Sequence, residues 1–201
     1  MSQEPVPHGT RDKILIAAAE MLGTDPTARL SVRGVATRAG VSTGSLRHFF
    51  PTQRDLIDTV VAGLASVEIL DDPIHDTNRT ASERLLACLQ LMLEHVGKGE
   101  QARAYWRKLY EAYVATAPTD DDTLAYLALD QLGRDRIQGW LAALVTEGAI
   151  PPGDNGRRAR YLGSMLNGLL TERVLPTPAD QDNSEEETLR TAIRAITGHH
   201  G

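Results

Sequence analysis

A single cysteine, Cys88, stands in 201 residues. That excludes an intramolecular disulfide framework and suits a reducing, cytoplasmic setting. Long apolar runs are missing as well: Leu85–Leu89 and Leu141–Val145 are far too short to cross a bilayer. Met1–Arg11 carries Glu4, Pro5 and Pro7 and no apolar stretch, so no secretory signal is expected. Neither H-E-x-x-H nor G-x-x-x-x-G-K-[ST] occurs, the G-x-S-x-G match at Gly40–Gly44 lacks the preceding strand that a nucleophile elbow needs, and Gly97-Lys98-Gly99 lacks the flanks of a phosphate loop. Histidines stand at 8, 48, 75, 95, 199 and 200 without ligand spacing. No catalytic residue, metal or cofactor is therefore expected. The acidic run Asp120-Asp121-Asp122 lies at a helix start, where the helix dipole accounts for it. Strand signals and internal repeats are absent.

What remains is helical, and its charge is unevenly spread. The net charge is −6. Residues 1–60 nevertheless hold seven Lys/Arg against six Asp/Glu, while residues 61–201 hold fourteen against twenty-one. Between 26 and 54 stand Arg29, Arg33, Arg38, Arg47 and Arg54 and no acid. Such a basic tip on an acidic body can sit on phosphates while the body stays off them, although ordinary scatter of charge competes with that reading. Apolar periodicity predicts about nine helices. A first spans about Thr10–Gly23, followed by a loop containing Pro26. Ser31 caps a short second, which Gly40 ends. The third spans Thr43–Phe49. Thr52 with Asp55 starts the fourth, expected to reach Ile69. After a polar loop at Asp71–Asn78, further helices are predicted over Thr80–Val96, Arg103–Ala117, Thr123–Glu147 and Arg157–Leu175. A linker over Thr177–Asn183 then leads to a last helix capped by Ser184, with Glu185, Glu186 and Glu187 in its first turn.

The decisive stretch is Val32–Phe50, VRGVATRAGVSTGSLRHFF. Two short helices packed at a steep angle need a small residue at the contact, here Ala36, and a glycine in the turn, Gly40. They also need apolar anchors on the second helix, here Val41, Leu46 and Phe50. The second helix of such a pair lies in the DNA major groove. Its N-terminal end here is Thr43-Gly44-Ser45, small and hydroxylated, able to approach the groove floor and to bond bases or phosphates.

This segment resembles the TetR family of transcriptional regulators over about residues 10–58. The likeness rests on RDKILIAAAEML, the S-V-R-x-V-A-x-x-A-G-V-S core and the S-L-x-H-F-F-x-x-x-x-D-L run. The resemblance implies an all-α fold, with a three-helix DNA-binding domain at 1–58 and a helical ligand-binding and dimerisation domain at 59–201. It implies that Arg33 reaches a base, often guanine, and that Ser42, Thr43, Gly44, Ser45, His48 and Phe49 face the groove. Thr52 and Gln53 would clamp phosphate, with Phe50 in the core. Arg47 stands where the family usually has tyrosine, and Gln53 where it has lysine, so Arg47 or Arg54 is expected to supply the missing charge. Core packing competes for Phe49, and a plain surface role for His48 and Arg38.

One reading helix covers too few bases to be selective, so a two-fold dimer on a pseudo-palindrome is expected. The resemblance implies a four-helix bundle between copies. Its candidate residues are Leu162, Met165, Leu166, Leu169 and Leu170, then Leu189, Ala192, Ile193 and Ile196; intramolecular core is the competing reading. It also implies a pocket for a small organic ligand in the middle helices. Candidates are Met92, His95, Trp106, Tyr110, Tyr113, Tyr126, Trp140, Met165 and Asn167, against a plain aromatic core. The expected function is a ligand-responsive repressor, released from its operator when ligand binds. The alternative is a DNA-binding regulator without a small-molecule ligand, controlled by a partner protein or acting as an activator.

Overall fold

Small polar residues decide where the helices begin. In the computed structural model, which describes residues 9–24, 30–65, 72–115, 117, 119–175 and 181–198, Ser31, Ser42, Thr80 and Asp154 each accept a hydrogen bond from a first-turn amide, satisfying a donor that the helix itself leaves open. The helices are α1 (Thr10–Thr24), α2 (Val32–Ala39), α3 (Thr43–Phe49), α4 (Gln53–Ala65), α5 (Ala81–Val96), α6 (Glu100–Tyr113), α7 (Asp120–Thr146), α8 (Asn155–Val174) and α9 (Gln181–Thr197), with a 3-10 turn at Pro73–His75. There is no strand among the described residues, so the all-α expectation holds.

The later boundaries differ from the sequence reading for identifiable reasons. α6 starts three residues before Arg103, because the break at Gly97–Gly99 is short and the Arg103 amide already bonds the Gly99 carbonyl. α7 starts at Asp120, since Thr119 and Asp122 exchange capping hydrogen bonds. α9 begins at Gln181, which puts Ser184 inside the helix, not at its cap. The loop expected at Asp71–Asn78 contains the 3-10 turn, with Asp72 accepting from the Ile74 amide. The Pro26 loop, the end of α4 toward Ile69, residues 176–180 and the terminal histidines lie outside the described residues.

The chain divides into two compact units, residues 1–66 with 109–132 and residues 67–108 with 133–201. In the first, α1 to α4 close on Ile14, Leu30, Val35, Leu46, Phe50 and Leu56, joined by Ala128 of α7. Gly40 ends α2 in the left-handed region (φ 68°, ψ 32°). Its amide bonds the Thr37 carbonyl while the Val41 amide reaches back to Ala36, a paired closure that releases the chain directly into α3.

In the second unit, Leu85, Leu89 and Leu93 line one face of α5. They meet Ile137, Leu141 and Leu144 of α7, Leu162, Leu166 and Leu169 of α8, and Leu189 and Ile193 of α9 in one core. Two buried arginines brace it. Arg84 bonds the Ile74 carbonyl and forks onto both oxygens of Glu147. Arg173 forks onto Glu185 at 2.6 Å from each oxygen and also bonds the carbonyls of Leu93 and Gly97. The planar fork suits such double contacts, and a buried charge persists only when paired in this way. Glu185 therefore serves Arg173, not the start of α9.

Asp72 collects a third network. It accepts from the Trp140 indole at 2.8 Å and the Cys88 thiol at 3.2 Å, and pairs with Arg136 at 3.3 Å. Burial alone would raise its pKa. The hydrogen bonds from Trp140, Cys88 and Ile74, with the Arg136 charge, outweigh burial and hold it below the ordinary 3.8.

Two expectations follow from these anchors. Gly40→Val places a β-branched residue in the left-handed region and costs at least about 1–2 kcal/mol; amide exchange across α2 and α3 accelerates, and protection equal to wild type refutes the turn's role. For Asp72 the folded value lies below the unfolded one. Its contribution is therefore present above pH 3.8 and lost as pH falls through the lowered value. Urea unfolding followed by Trp140 fluorescence in a Trp106→Phe background should show this acid-dependent loss, and Asp72→Asn should lack it.

Candidate nucleic-acid interface

The buried pair Leu46 and Phe50, four residues apart, fixes which side of α3 faces inward. Helical spacing then sorts the rest into three columns: Thr43 with Arg47, Gly44 with His48, and Ser45 with Phe49. All are exposed except Ser45, which is half-buried. The Gly44 and His48 column points furthest from the core. Arg33 on α2 is exposed too, and among the described residues neither it nor Arg47 has an ion-pair partner. Arg38, by contrast, pairs with Glu20 at 3.0 Å, and Arg54 approaches Asp58 at 3.8 Å with both side chains well exposed. An exposed pair of that length contributes little and exchanges readily for a phosphate.

Several expected contact residues turn out to have local duties. Ser42 caps α3, its Oγ accepting from the Ser45 amide at 3.0 Å; its hydroxyl proton stays free to donate. The Thr52 hydroxyl donates to Asp55 at 2.7 Å and accepts from the Asp55 amide at 3.1 Å, so it is occupied at both ends. Gln53 is half-buried with its amide nitrogen shielded from solvent. The charge presented around the start of α4 therefore comes from Arg54 and, on α3, Arg47.

Gly44 has no internal reason to be glycine. A Cβ built there would meet only the Ser42 Oγ, at an ordinary 3.8 Å. The position lies in the first turn of α3, where glycine costs up to about 0.5–1 kcal/mol relative to alanine, the figure for a helix interior. A bare backbone there leaves room for something approaching from outside.

The ligand candidates fall in both units. Tyr110, Tyr113 and Tyr126 belong to the first, where Tyr113 and Tyr126 meet edge to face at 5.5 Å and Tyr110 and Tyr126 are each 47% exposed. Met92, His95, Trp106, Trp140, Met165 and Asn167 belong to the second. Trp140 is core, bonded to Asp72 and covered by Arg136 at 5.4 Å. Met92 and Met165 pack against that core. Trp106 is half-buried, and His95 and Asn167 are exposed.

The apolar stripes of α8 and α9 turn inward. Leu162, Leu166, Leu169, Leu189, Ala192 and Ile193 are buried within the unit's own core, with Leu170 and Ile196 against it. The outer side of the same helices carries a shallow groove of about 330 Å³ lined by Tyr161, Met165, Thr188, Thr191 and Ala192 among others. Tyr161 was missed by the sequence reading, although its spacing of four from Met165 places the two on one face. A Cβ at Gly163 or Gly168 would meet nothing within 4 Å.

The family described as bacterial regulatory proteins, tetR family, matches residues 14–60. No curated protein sequence matches the chain significantly. Among solved structures, the SmeT–triclosan complex aligns over 96% of this chain and 94% of its own, at 22% identity and a TM-score of 0.52, a likeness of fold over nearly the whole length. A TetR transcriptional regulator from Rhodococcus sp. RHA1 aligns at 18% identity and a TM-score of 0.48, covering 96% and 97%. MexZ, a repressor responsible for antibiotic resistance in Pseudomonas aeruginosa, aligns at 19% and 0.48, covering 93% and 94%.

The bare backbone at Gly44 trades stability for function. Gly44→Ala should raise unfolding free energy by up to about 0.5–1 kcal/mol while weakening duplex DNA binding. Parallel denaturation and fluorescence-anisotropy titrations check both; a variant more stable and equally tight in binding shows that no close approach occurs there.

Proposed function

We propose, from the match of residues 14–60 to the family described as bacterial regulatory proteins, tetR family, that the chain is a ligand-responsive repressor that holds a pseudo-palindromic operator as a homodimer. The observation that carries the reading is the surface of α2 and α3: Arg33 and Arg47, exposed and without acidic partners among the described residues, beside a small, hydroxylated helix tip. A polyanion satisfies those cations, and a tip this narrow enters a groove. Arg33 makes the directional contact, its fork matching O6 and N7 of guanine. Arg47 and Arg54 hold phosphate.

Selectivity in a genome calls for two reading helices about 34–36 Å apart, or a multiple of that. The outer side of α8 and α9, with Tyr161, Met165 and the open Gly168, is the surface we assign to the second copy, since the leucine stripes behind it are already covered. Release follows if a ligand prefers a protein state with wrongly spaced readers, and by reciprocity DNA then weakens ligand binding by the same factor. α4, the last helix of the reading segment, is the proposed lever. A solved relative of the same fold is a complex with triclosan, which supports a small apolar organic ligand here, in a chain acting in the cytoplasm. A second reading, control by a partner protein without small ligand or action as an activator, draws on Trp140. That candidate wall residue is already committed to Asp72 and Arg136.

The test begins with an operator selected from random duplexes. Binding should weaken steeply with salt, with a slope set by the number of phosphates neutralised. Arg33→Ala should cost about 1–3 kcal/mol and relax preference at one base pair. Apolar compounds that raise the melting temperature should lower operator affinity; compounds that stabilise the protein without touching operator affinity favour the second reading. Absence of any salt-sensitive duplex binding refutes both.

A further inference from the structure

The two phenylalanines of the chain are neighbours, Phe49 and Phe50, and they meet opposite fates. Phe50 is 2% exposed in the core, whereas Phe49 is 39% exposed on α3. Its column companion is Ser45, and the next residue around the helix, His48, stands nearly perpendicular to it with ring centroids 5.2 Å apart. That contact limits where the Phe49 ring can swing. Every other side chain on the outward columns is polar or cationic, and Gly44 has none. A scattered apolar residue on a protein surface normally needs no explanation. This one lies at the C-terminal end of α3, on the flank of a surface whose proposed partner is a major groove.

The chemistry of that groove narrows the choice. Base edges present nitrogen and oxygen donors and acceptors throughout, with one apolar exception, the C5 methyl of thymine. Phenylalanine can neither donate nor accept. Laid over N7, O6, N6 or N4 it would strip water from a polar group and return no bond. Laid over a methyl it removes apolar area on both sides from water.

We propose that Phe49 reads thymine: its ring covers the C5 methyl of one thymine in each half-site and sets the preference at that base pair. The inference rests on the DNA-reading function proposed above and adds an identity to one position of the operator. His48 is then a positioning residue for the ring, and the bare Gly44 lets the helix lie deep enough for the ring to reach a base edge.

The test uses the full chain and the operator recovered from random duplexes. Each thymine of a half-site is replaced singly by deoxyuridine, which removes the methyl and leaves every hydrogen-bonding group. The intact protein should lose affinity at one thymine per half-site, by about four-fold, the factor that burial of one methyl-sized group gives. Phe49→Ala should bind the thymine and uridine duplexes equally at that position while keeping salt-dependent binding. Phe49→Leu, which retains an apolar side chain and guards against a misfolded alanine variant, should keep part of the thymine preference. An intact protein indifferent to methyl removal at every thymine overturns the inference and leaves the reading function standing. So does an identical loss in wild type and Phe49→Ala. If the intact protein binds no duplex with salt sensitivity, the function and the inference fall together.

Discussion

The left-handed turn at Gly40 is the constraint on which the reading surface depends. Two backbone hydrogen bonds, from Gly40 to Thr37 and from Val41 to Ala36, end one helix and aim the next within three residues. Ala36, 2% exposed, is small enough to let the two helices touch. Because α3 is only seven residues long, it has little intrinsic helical stability of its own. It holds its direction through the turn, the Ser42 cap and two anchors, Leu46 and Phe50. Every outward side chain inherits its aim from that arrangement.

The segment was legible in the sequence for the same reason. Its signals are local: a capping serine at 31, a glycine nine residues on, a second capping serine at 42, and apolar residues at helical spacing. None requires knowledge of what lies far away in the chain. The stripes of α8 and α9 show the opposite case. Periodicity correctly marks Leu162, Leu166, Leu169, Leu189 and Ile193 as a buried face. It does not say whether the cover is a second copy or the chain's own α5 and α7, and in the structure α5 and α7 supply it. The start of α9 was missed because its first residues, Gln181-Asp182-Asn183, carry no apolar period. Sequence alone makes Glu185 a first-turn charge, since nothing local reveals an arginine twelve residues upstream.

The ionic anchors of the second unit were invisible for a related reason. Arg84 and Glu147 are 63 residues apart, and Asp72 and Trp140 are 68 apart. Such pairs depend on which helices become neighbours, and pattern within a window cannot supply that. The pairs nonetheless leave fewer side chains open to the proposed ligand. Trp140, which composition alone would nominate as a free aromatic wall, has its polar edge and one face already taken. The tyrosines Tyr110 and Tyr126 keep substantial exposure.

Asp72 also determines the character of the only sulfhydryl. Cys88 is fully buried and directs its proton at that carboxylate; burial, with the carboxylate hydrogen bond and charge, pushes the thiol well above the ordinary range. Since attack on alkylating agents and oxidants requires thiolate and access, the folded protein should be inert to both. Modification would begin only when the second unit opens, and Cys88 thereby serves as a native chemical clock for that opening.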